Sequence, residues 1–514
     1  GMVFGAVDVD VIVVNEETLW SGGPGKNPDY DGGHANTPEE NHRALQRVRN
    51  TLQAKMSDFT AKHAARINKA GKVVATNYAP EDSALRADIQ HLMGDPKDFG
   101  SYQQLSSIYM GYDPAVKASY TDYSRELDID RAVLKTSYRR EGVSHERTYF
   151  VSHPDQVMVI RLTADSPGSI TRTFWLTSPQ DSIRVHADND VITLEGKPAD
   201  HGDDGLKFVQ QLMVIPTGGT MHAEADKIRV VGADEVVVIT AAATNYQQSM
   251  DDRFDYFSDA DPRATVEQRL ATAARKPYEQ LLETHVQDYK SLYDRMAVSL
   301  GEAANPNDKP TDQLLEGCKK GSNTAEENRY LEQLYYQFGR YLLIASSRKG
   351  SLPANLQGIW AAGLTPPWNA DYHTNINVQM NYWPAQQTNL AECHLPVIEY
   401  TRSLVPRGTF TAQHYYRGRD GSPVRGWVIH HENNIWGNTA PGTWYEGFYF
   451  PAAAAWMCQD IWEYYQFNQD KQFLANYYPV MVDAALFWVD NLWEDARDGT
   501  LVANPSYSPE HGPY

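Results

Sequence analysis

The hydrophobic pattern of this 514-residue chain changes its period once, and that change limits the folds open to it. Up to about Thr244 the apolar residues alternate or form short β-branched runs bounded by Gly, Pro, Asp and Ser, as at 157–163 and 236–243. No helical periodicities alternate with these runs, which argues against a βαβ array. The pattern therefore predicts a mostly antiparallel β-sandwich of about 250 residues.

One segment of the first half departs from this pattern. Thr37 to Ala70 has a helical pattern and begins as a capping box, with Thr37 at the cap, Pro38 at the first helical position and Glu40 three residues after the cap. We interpret this segment as a helical insertion in the sheet region.

Beyond residue 262 the pattern becomes helical. A polar segment with two prolines at 305–312 indicates a boundary loop. The helices that follow are joined by long loops at 350–370 and 422–449, and long loops on a helical scaffold are usually functional. The sequence thus predicts three domains: an N-terminal β-sandwich (1–262), a helical linker (263–312) and a helical domain (313–514).

Composition and charge argue against several classes of protein. The chain has 46 Lys and Arg against 66 Asp and Glu, a net charge of −20, whereas nucleic acids and anionic membranes bind basic patches. The three cysteines have neither disulfide-framework nor metal-ligand spacing, and no metal or cofactor motif is found, so we expect no cofactor. No apolar run approaches the roughly 18 residues of a membrane span. The few cysteines and the lack of a basic N-terminal region favour the cytoplasm, with an extracellular location as the alternative.

The tryptophans are concentrated in the helical region, where ten of the twelve lie between Trp360 and Trp493. Four of them have helical spacing and are predicted to be core residues: Trp456, Trp462, Trp488 and Trp493. The others lie in loops among asparagines: Trp360, Trp368, Trp383, Trp427, Trp436 and Trp444. Their rings could pack on the C–H faces of a sugar while amides hydrogen-bond its hydroxyls, or they could form the core of a large helical domain.

A second polar segment runs from Asp371 to Asn377. If it is extended, His373, Asn375 and Asn377 share one face, because alternate residues of a strand point the same way. An imidazole and two amides make a poor core and a good wall for binding hydroxyls, although the capping of an ordinary loop would use the same residues. Glu510, in a loop with two prolines, is a candidate proton donor, against the ordinary alternative of a solvated glutamate.

Several motifs together resemble glycoside hydrolase family 95, the inverting α-L-fucosidases that act mainly on α-1,2-linked fucose. The matching motifs are spread over essentially the whole chain: 15–24, 352–360, 367–369, 371–384 and 506–512. The resemblance implies an N-terminal β-sandwich, a helical linker and a catalytic (α/α)6 barrel.

The resemblance also assigns catalytic roles. Glu510 matches the general acid that protonates the leaving glycosidic oxygen. Asn375 and Asn377 match the amide pair that holds and activates the attacking water. An amide is a very weak base, and the family supplies a downstream Asp that polarises it; that Asp has no counterpart in these 514 residues.

Substrate-binding roles follow in the same way. His373 matches the residue that reads a sugar hydroxyl and the exocyclic substituent, where histidine is the residue of fucosidases. Trp444 matches the aromatic wall beside the sugar. Trp368 and Asn369 lie in a matching loop and are expected to bind substrate as well.

The resemblance predicts the removal of terminal α-L-fucose from oligosaccharides or glycans. The alternatives are an inactive carbohydrate-binding remnant of such an enzyme and an α-L-galactosidase. Because half of the barrel has no counterpart, we expect a chain truncated at both ends, with an incomplete barrel that a second chain or a dimer partner would cover.

Overall fold

The computed structural model describes residues 1–64, 83–113, 118–250, 255–443, 445, 449–495, 497–507 and 509. The first half of the chain consists largely of strands and the second half largely of helices, which confirms the predicted order of a β region followed by a helical region. None of the helices in these ranges is long and apolar enough to cross a membrane.

The strands lie mainly in the first half of the chain. They are β1 Met2–Val3, β2 Val9–Val14, β3 Ser106–Gly111, β4 Tyr120–Asp128, β5 Val133–Arg140, β6 Val143–Ser152, β7 Val157–Ala164, β8 Ile170–Thr177, β9 Ser182–Asp188, β10 Val191–Lys197, β11 Phe208–Thr217, β12 Thr220–Glu224, β13 Lys227–Ala233, β14 Glu235–Thr244, β15 Tyr372–His373, β16 Glu432–Asn433, β17 Trp493–Glu494 and β18 Leu501–Val502. The alternating runs of the sequence thus form strands close to their predicted bounds.

Two sheets contain the strands of the first half. One has six strands in the order β1-β2-β3-β8-β13-β12, and the other has eight in the order β4-β5-β6-β7-β14-β11-β10-β9. Neighbouring strands in both sheets pair antiparallel, as the short apolar runs predicted. Ile108 and Phe174 of the first sheet share a fully buried core with Ile160 and Leu212 of the second. The two sheets therefore pack on each other, and the opposite face of the second sheet, which includes Val159, is buried in a further core.

Most helices of the described residues lie beyond residue 261, and three others lie in the described part of the first hundred residues. They are α1 Gly23–Lys26, α2 Pro38–Ala64, α3 Ser83–His91, α4 Pro262–Ala273, α5 Tyr278–Tyr293, α6 Thr311–Lys320, α7 Ala325–Ser346, α8 Asn377–Tyr382, α9 Pro384–Gln387, α10 Ala391–Ser403, α11 Val405–Tyr415, α12 Ala453–Asn468 and α13 Lys471–Asn491. The loop between α7 and α8 is long, and the described residues between α11 and α12 are mostly irregular, as the sequence predicted.

Helix α2 confirms the predicted insertion, whose last residues, 65–70, lie outside the described part of the chain. Its start is the predicted capping box: Glu40 Oε2 accepts from the backbone N–H of Thr37 (2.9 Å), and Thr37 Oγ1 accepts from the backbone N–H of Glu40 (3.3 Å). The helix packs on the helical half of the molecule, where Leu45 and Val48 share a core with Tyr415 and Phe487. A segment from the β region thus supports the helical region.

Replacing Thr37 with Ala is expected to lower the free energy of unfolding by about 1 kcal/mol, because the Thr37 hydroxyl no longer accepts from the backbone N–H of Glu40 or donates to its carboxylate. Urea unfolding followed by circular dichroism measures the change. Thr272→Ala is a matched control, since Thr272 is exposed in the last turn of α4 and its hydroxyl donates to the carbonyl of Gln268, away from any cap at the start of the helix. Equal stability of the two variants would contradict the capping assignment.

Candidate functional site

A short pair of strands brings together two distant loops of the helical region. Strand β15 pairs antiparallel with β16, and the register places His373 opposite Glu432. Thr374 fastens the same contact: its backbone N–H donates to the carbonyl of His431 (2.8 Å) and its Oγ1 donates to the carbonyl of His430 (2.8 Å). The 371–377 segment is thereby held against the 430–433 loop.

At this strand pair the His373 ring lies between two carboxyl groups. Nδ1 of His373 forms a short hydrogen bond with Oδ1 of Asp371, and Nε2 lies 3.8 Å from Oε1 of Glu432. The His431 ring stands edge-on to the His373 ring, with centroids 4.6 Å apart. The side chain of Asp371 is fully buried, whereas His373 and Glu432 are 12% and 22% exposed. The row thus runs from the interior towards an accessible end at Glu432.

Burial changes the proton affinity of both carboxyl groups. It raises the pKa of Asp371 to about 6, against the opposing effect of its hydrogen bond to His373. It raises the pKa of Glu432 to about 8, and the charge of Asp371 contributes in the same direction. Near neutral pH this assigns a carboxylate to Asp371 and a neutral carboxyl group to Glu432.

The shift at Glu432 predicts a component of stability that depends on pH. The folded state binds the Glu432 proton more tightly than the unfolded chain, so stability falls as the pH rises from about 4.5 towards 8. Replacing Glu432 with Gln should remove this component, and the loss of stability between pH 5 and 8 should shrink by about 1.4 kcal/mol or more, the equivalent of at least one pKa unit. Chemical unfolding at the two pH values measures it. Glu267→Gln, on the exposed side of α4, should keep the wild-type loss, and an unchanged loss in Glu432→Gln would refute the prediction.

Asp371, His373 and Glu432 also carry the donor atoms that metal ions use, and these atoms lie within 4.8 Å of one another. A tetrahedral zinc ion would keep a ligating nitrogen and oxygen about 3.3 Å apart. The direct hydrogen bond between Nδ1 of His373 and Asp371 leaves no such space. The geometry fits a hydrogen-bonded row better than a metal cage.

Residues of the β region pack against the loops of the site. The Tyr372 ring stacks on Trp20 with centroids 6.0 Å apart, and its other neighbour, Tyr400, is 4.7 Å away. Trp436 donates from Nε1 to the carbonyl of Ser21 (2.8 Å). The 15–24 motif therefore packs directly against the two loops that form the site.

The predicted extended face is wrong beyond His373. Only Tyr372 and His373 are in a strand; a turn follows at 374–376, and helix α8 begins at Asn377. The turn forms because Thr374 bonds to the 430–431 carbonyls, contacts that local alternation does not contain. Asn375 and Asn377 are half-buried, and Oδ1 of Asn375 is buried with no hydrogen-bond partner among the described residues.

The 367–370 loop places its aromatic residue in solvent. Trp368 and Asn369 have positive φ angles of 48° and 57°, and the side chain of Trp368 is 72% exposed. The carbonyl of Asn369 accepts from the backbone N–H of Tyr102 (2.9 Å), which anchors the loop to the β region. The Trp368 ring is therefore available to a ligand.

The other described loop tryptophans differ in burial. Trp427 and Trp436 are fully buried core residues, whereas Trp383 is 50% exposed. Trp360 is half-buried. Together with Glu17 it lines a separate cavity of about 690 Å³ between the sheets, helices α4 and α5, and the loop after α7.

The prediction that the helical tryptophans are core residues is wrong for Trp462, which is 44% exposed on α12. Trp456, Trp488 and Trp493 are partly buried. Helical spacing places a residue on one face of its helix, but the neighbouring elements decide whether that face is covered.

Two predicted site residues, Glu510 and Trp444, lie outside the described part of the chain. Two further residues of the candidate site, Asp371 and Glu432, were not predicted from the sequence. Asp371 could have been found, because it lies two residues before His373 and so shares a face with it in a strand. Glu432 carried only a weak signal, a carboxylate after two histidines, since its partner lies 59 residues earlier in the β15–β16 register.

Comparison with known proteins finds two family matches. Residues 277–514, which include the whole strand pair, match the glycosyl hydrolase family 95 catalytic domain. Residues 1–249 match the N-terminal domain of glycosyl hydrolase family 65. The helical part of the chain is thus similar to a family 95 catalytic domain. The chain is 33% identical to the probable alpha-fucosidase A of Aspergillus niger and 31% identical to alpha-L-fucosidase 2 of Arabidopsis thaliana.

The two alignments cover 100% and 99% of this chain, but only 60% and 58% of the relatives. The chain thus spans about 60% of the length of these relatives. Among solved structures, a putative kojibiose phosphorylase from the human microbiome superposes with a TM-score of 0.51 at 9% identity, covering 79% of this chain and 52% of that one. At this identity the likeness concerns the fold alone.

Proposed function

We propose that the protein is a glycoside hydrolase that removes terminal α-L-fucose, with α-1,2-linked fucose as the preferred substrate, by inversion at the anomeric carbon. The family 95 match of residues 277–514 and two relatives named as fucosidases support the substrate class. The observation that carries the proposal is the row from Asp371 through His373 to Glu432, a partly accessible set of hydrogen-bonding groups next to the two asparagines at 375 and 377.

The chemistry assigned to the residues is that of a single displacement. Glu510 protonates the glycosidic oxygen as the bond to the anomeric carbon breaks, and a water held by Asn375 and Asn377 attacks from the opposite face. The water gives its proton to the downstream Asp that the family resemblance implies and that has no counterpart in these 514 residues, because an amide alone is too weak a base. Inverting glycosidases keep the two catalytic groups about 6.5–9.5 Å apart so that this water fits between them. His373 binds a hydroxyl of the sugar, and the exposed indole of Trp368, with Trp444, offers apolar surface to the C–H face of the sugar.

This proposal also assigns the domains. Residues 1–262 form the β-sandwich, 263–312 the helical linker, and 313–514 part of an (α/α)6 barrel. The sandwich packs against the site loops through Trp20 and Trp436, so its proposed role is to support the barrel rather than to bind substrate.

The direct test is the release of L-fucose from 2′-fucosyllactose, followed by NMR of the freshly formed sugar. An inverting enzyme acting on an α-linkage yields β-L-fucose first, so the α-anomer as first product would refute inversion. Release by neither the 514-residue chain nor the full-length gene product would refute the activity. Faster hydrolysis of the nitrophenyl α-L-galactoside than of the fucoside would make the enzyme a galactosidase. Binding of fucose without turnover by both proteins would leave a carbohydrate-binding protein.

A further inference from the structure

Thr374 is a fully buried residue between two partly exposed ones, His373 and Asn375. Its backbone N–H and its hydroxyl each donate to a carbonyl of the 430–431 segment, at 2.8 Å in both cases. Its own carbonyl accepts from Nε2 of Gln379 (2.9 Å), which is buried in helix α8. All three polar groups of Thr374 are therefore bonded to buried partners, and these bonds hold the residue from different sides.

The hydroxyl of Thr374 has a second partner on strand β16. Asn433 is fully buried, and its Nδ2 donates to the carbonyl of His430 (2.9 Å) and to Oγ1 of Thr374 (3.3 Å). The hydroxyl thus donates one hydrogen bond and accepts another. A methyl group in its place would leave one N–H of the Asn433 amide without this partner, in a position that is closed to water.

We propose that Thr374 is a positioning residue of the reaction: it holds the turn at 374–376 and so orients the amide of Asn375 towards the attacking water. This inference rests on the proposed function, which assigns the water to Asn375 and Asn377, and it adds a residue that acts without touching the substrate. A peptide bond is a rigid plane. The hydrogen bond from Gln379 to the Thr374 carbonyl therefore fixes the direction in which the chain enters Asn375.

The atom that this turn holds in place is Oδ1 of Asn375. It is buried and has no hydrogen-bond partner among the described residues, although buried polar atoms of folded proteins are nearly always bonded. A water that donates one proton to this oxygen satisfies it and keeps its lone pairs free for the anomeric carbon. A displacement of about 1 Å between reacting groups costs about 10²-fold in rate. A small rotation of the turn is therefore expected to lower kcat.

The chain contains a matched control for the Thr374 hydroxyl. Thr240 in β14 is buried as well, and its Oγ1 donates to the carbonyl of Gln211 (2.7 Å) and accepts from Nε2 of Gln210 (3.1 Å). These are the same two kinds of hydrogen bond, one to a carbonyl and one from an amide, in the eight-stranded sheet rather than at the strand pair. Thr240→Val therefore removes the same bonds as Thr374→Val, away from the proposed site.

The test is steady-state kinetics of the full-length gene product on 2′-fucosyllactose and on a nitrophenyl α-L-fucoside, at a temperature where circular dichroism shows each variant folded. Thr374→Val should lower kcat about tenfold on both substrates and leave KM nearly unchanged, because both reactions need the attacking water. Thr374→Ser keeps a hydroxyl and should restore most of the lost kcat. Thr240→Val should keep the wild-type kcat on both substrates even where it lowers the Tm.

A second variant tests the same turn from its other side. Gln379→Met nearly keeps the volume of the side chain and removes the hydrogen bond to the Thr374 carbonyl. It should also lower kcat on both substrates with little change in KM. The inference is therefore tested even if Thr374→Val does not fold, and a wild-type kcat in Gln379→Met would contradict it.

The outcomes separate this inference from the proposed function. A wild-type kcat in Thr374→Val overturns the inference and leaves the function intact. An equal loss in Thr240→Val, or no recovery in Thr374→Ser, overturns it as well, because the effect would then come from packing. A change in KM alone would make Thr374 a residue for binding, and a loss confined to 2′-fucosyllactose would place the defect at the leaving group; either result contradicts the inference. A wild-type protein that releases no fucose from either substrate refutes the proposed function itself.

Discussion

Replacing Glu510 with Gln is expected to lower kcat for 2′-fucosyllactose by about 10²–10⁴-fold, which is the usual contribution of a positioned general acid. The alkoxide of a sugar is a poor leaving group, and an amide of the same size cannot protonate it. An aryl fucoside with an acidic phenol leaves with little help. Its kcat should therefore fall much less, and this difference between the two substrates identifies an acid rather than a structural residue.

Steady-state kinetics of the full-length gene product on both substrates measures the effect. Glu494→Gln is the control, because Glu494 lies on the exposed strand β17 and should keep full activity on both. An equal loss on the natural and the aryl substrate would mean that Glu510 acts through folding or binding. Full activity of Glu510→Gln would remove the residue from the mechanism.

Replacing Trp436 with Ala is expected to lower the free energy of unfolding by about 3–5 kcal/mol, the range for large aromatic side chains deleted from a core. The indole is fully buried and contacts the rings of Tyr246, Tyr256 and Phe257, with centroids 5.7–5.8 Å away. Its Nε1–H donates to the carbonyl of Ser21, which would be left without this partner. The loss is a large share of the stability of an ordinary domain, about 5–15 kcal/mol.

Urea unfolding followed by tryptophan fluorescence and circular dichroism measures this loss. Trp383→Ala provides the comparison, since Trp383 is 50% exposed and should cost far less. Trp436→Phe keeps the ring contacts and loses the hydrogen bond to Ser21, so it should fall between wild type and Trp436→Ala. If Trp436→Ala were no less stable than Trp383→Ala, the proposed packing between the β region and the site loops would be wrong.

Local patterns predicted the elements of the fold well. The runs at 157–163 and 236–243 became β7 and β14 because alternation determines which face of a strand is buried. The capping box at Thr37 marked the start of α2 because its partners lie within one helical turn. The burial of Trp436 and the exposure of Trp462 could not be predicted from the sequence. Each depends on whether distant segments of the chain cover the side chain.

In the candidate site, too, features that depend on neighbouring residues were predictable and features that depend on distant segments were not. The residues around His373 in the sequence were enough to predict it as a site residue. They did not predict its position between two carboxyl groups, because Glu432 reaches it only through the pairing of β15 with β16. The extended conformation expected for 373–377 failed for a related reason. Thr374 donates hydrogen bonds to the carbonyls of His430 and His431, and the chain turns at this point. The domain bounds and the roles of the two asparagines and Glu510 stay predictions.

The stacking of Trp20 on Tyr372 bears on how freely the two halves of this protein could be exchanged during evolution. The first family match ends at residue 249 and the second begins at residue 277, so the interval between them is a natural point for recombination. However, residues from both sides of that interval pack together next to the proposed sugar site. A new N-terminal half would have to supply an indole at the position of Trp20 and place a backbone carbonyl, like that of Ser21, within reach of Nε1 of Trp436. The two halves are therefore expected to be inherited as one unit, and a chimera made at this junction should fold poorly unless the 15–24 motif is transferred with the helical half.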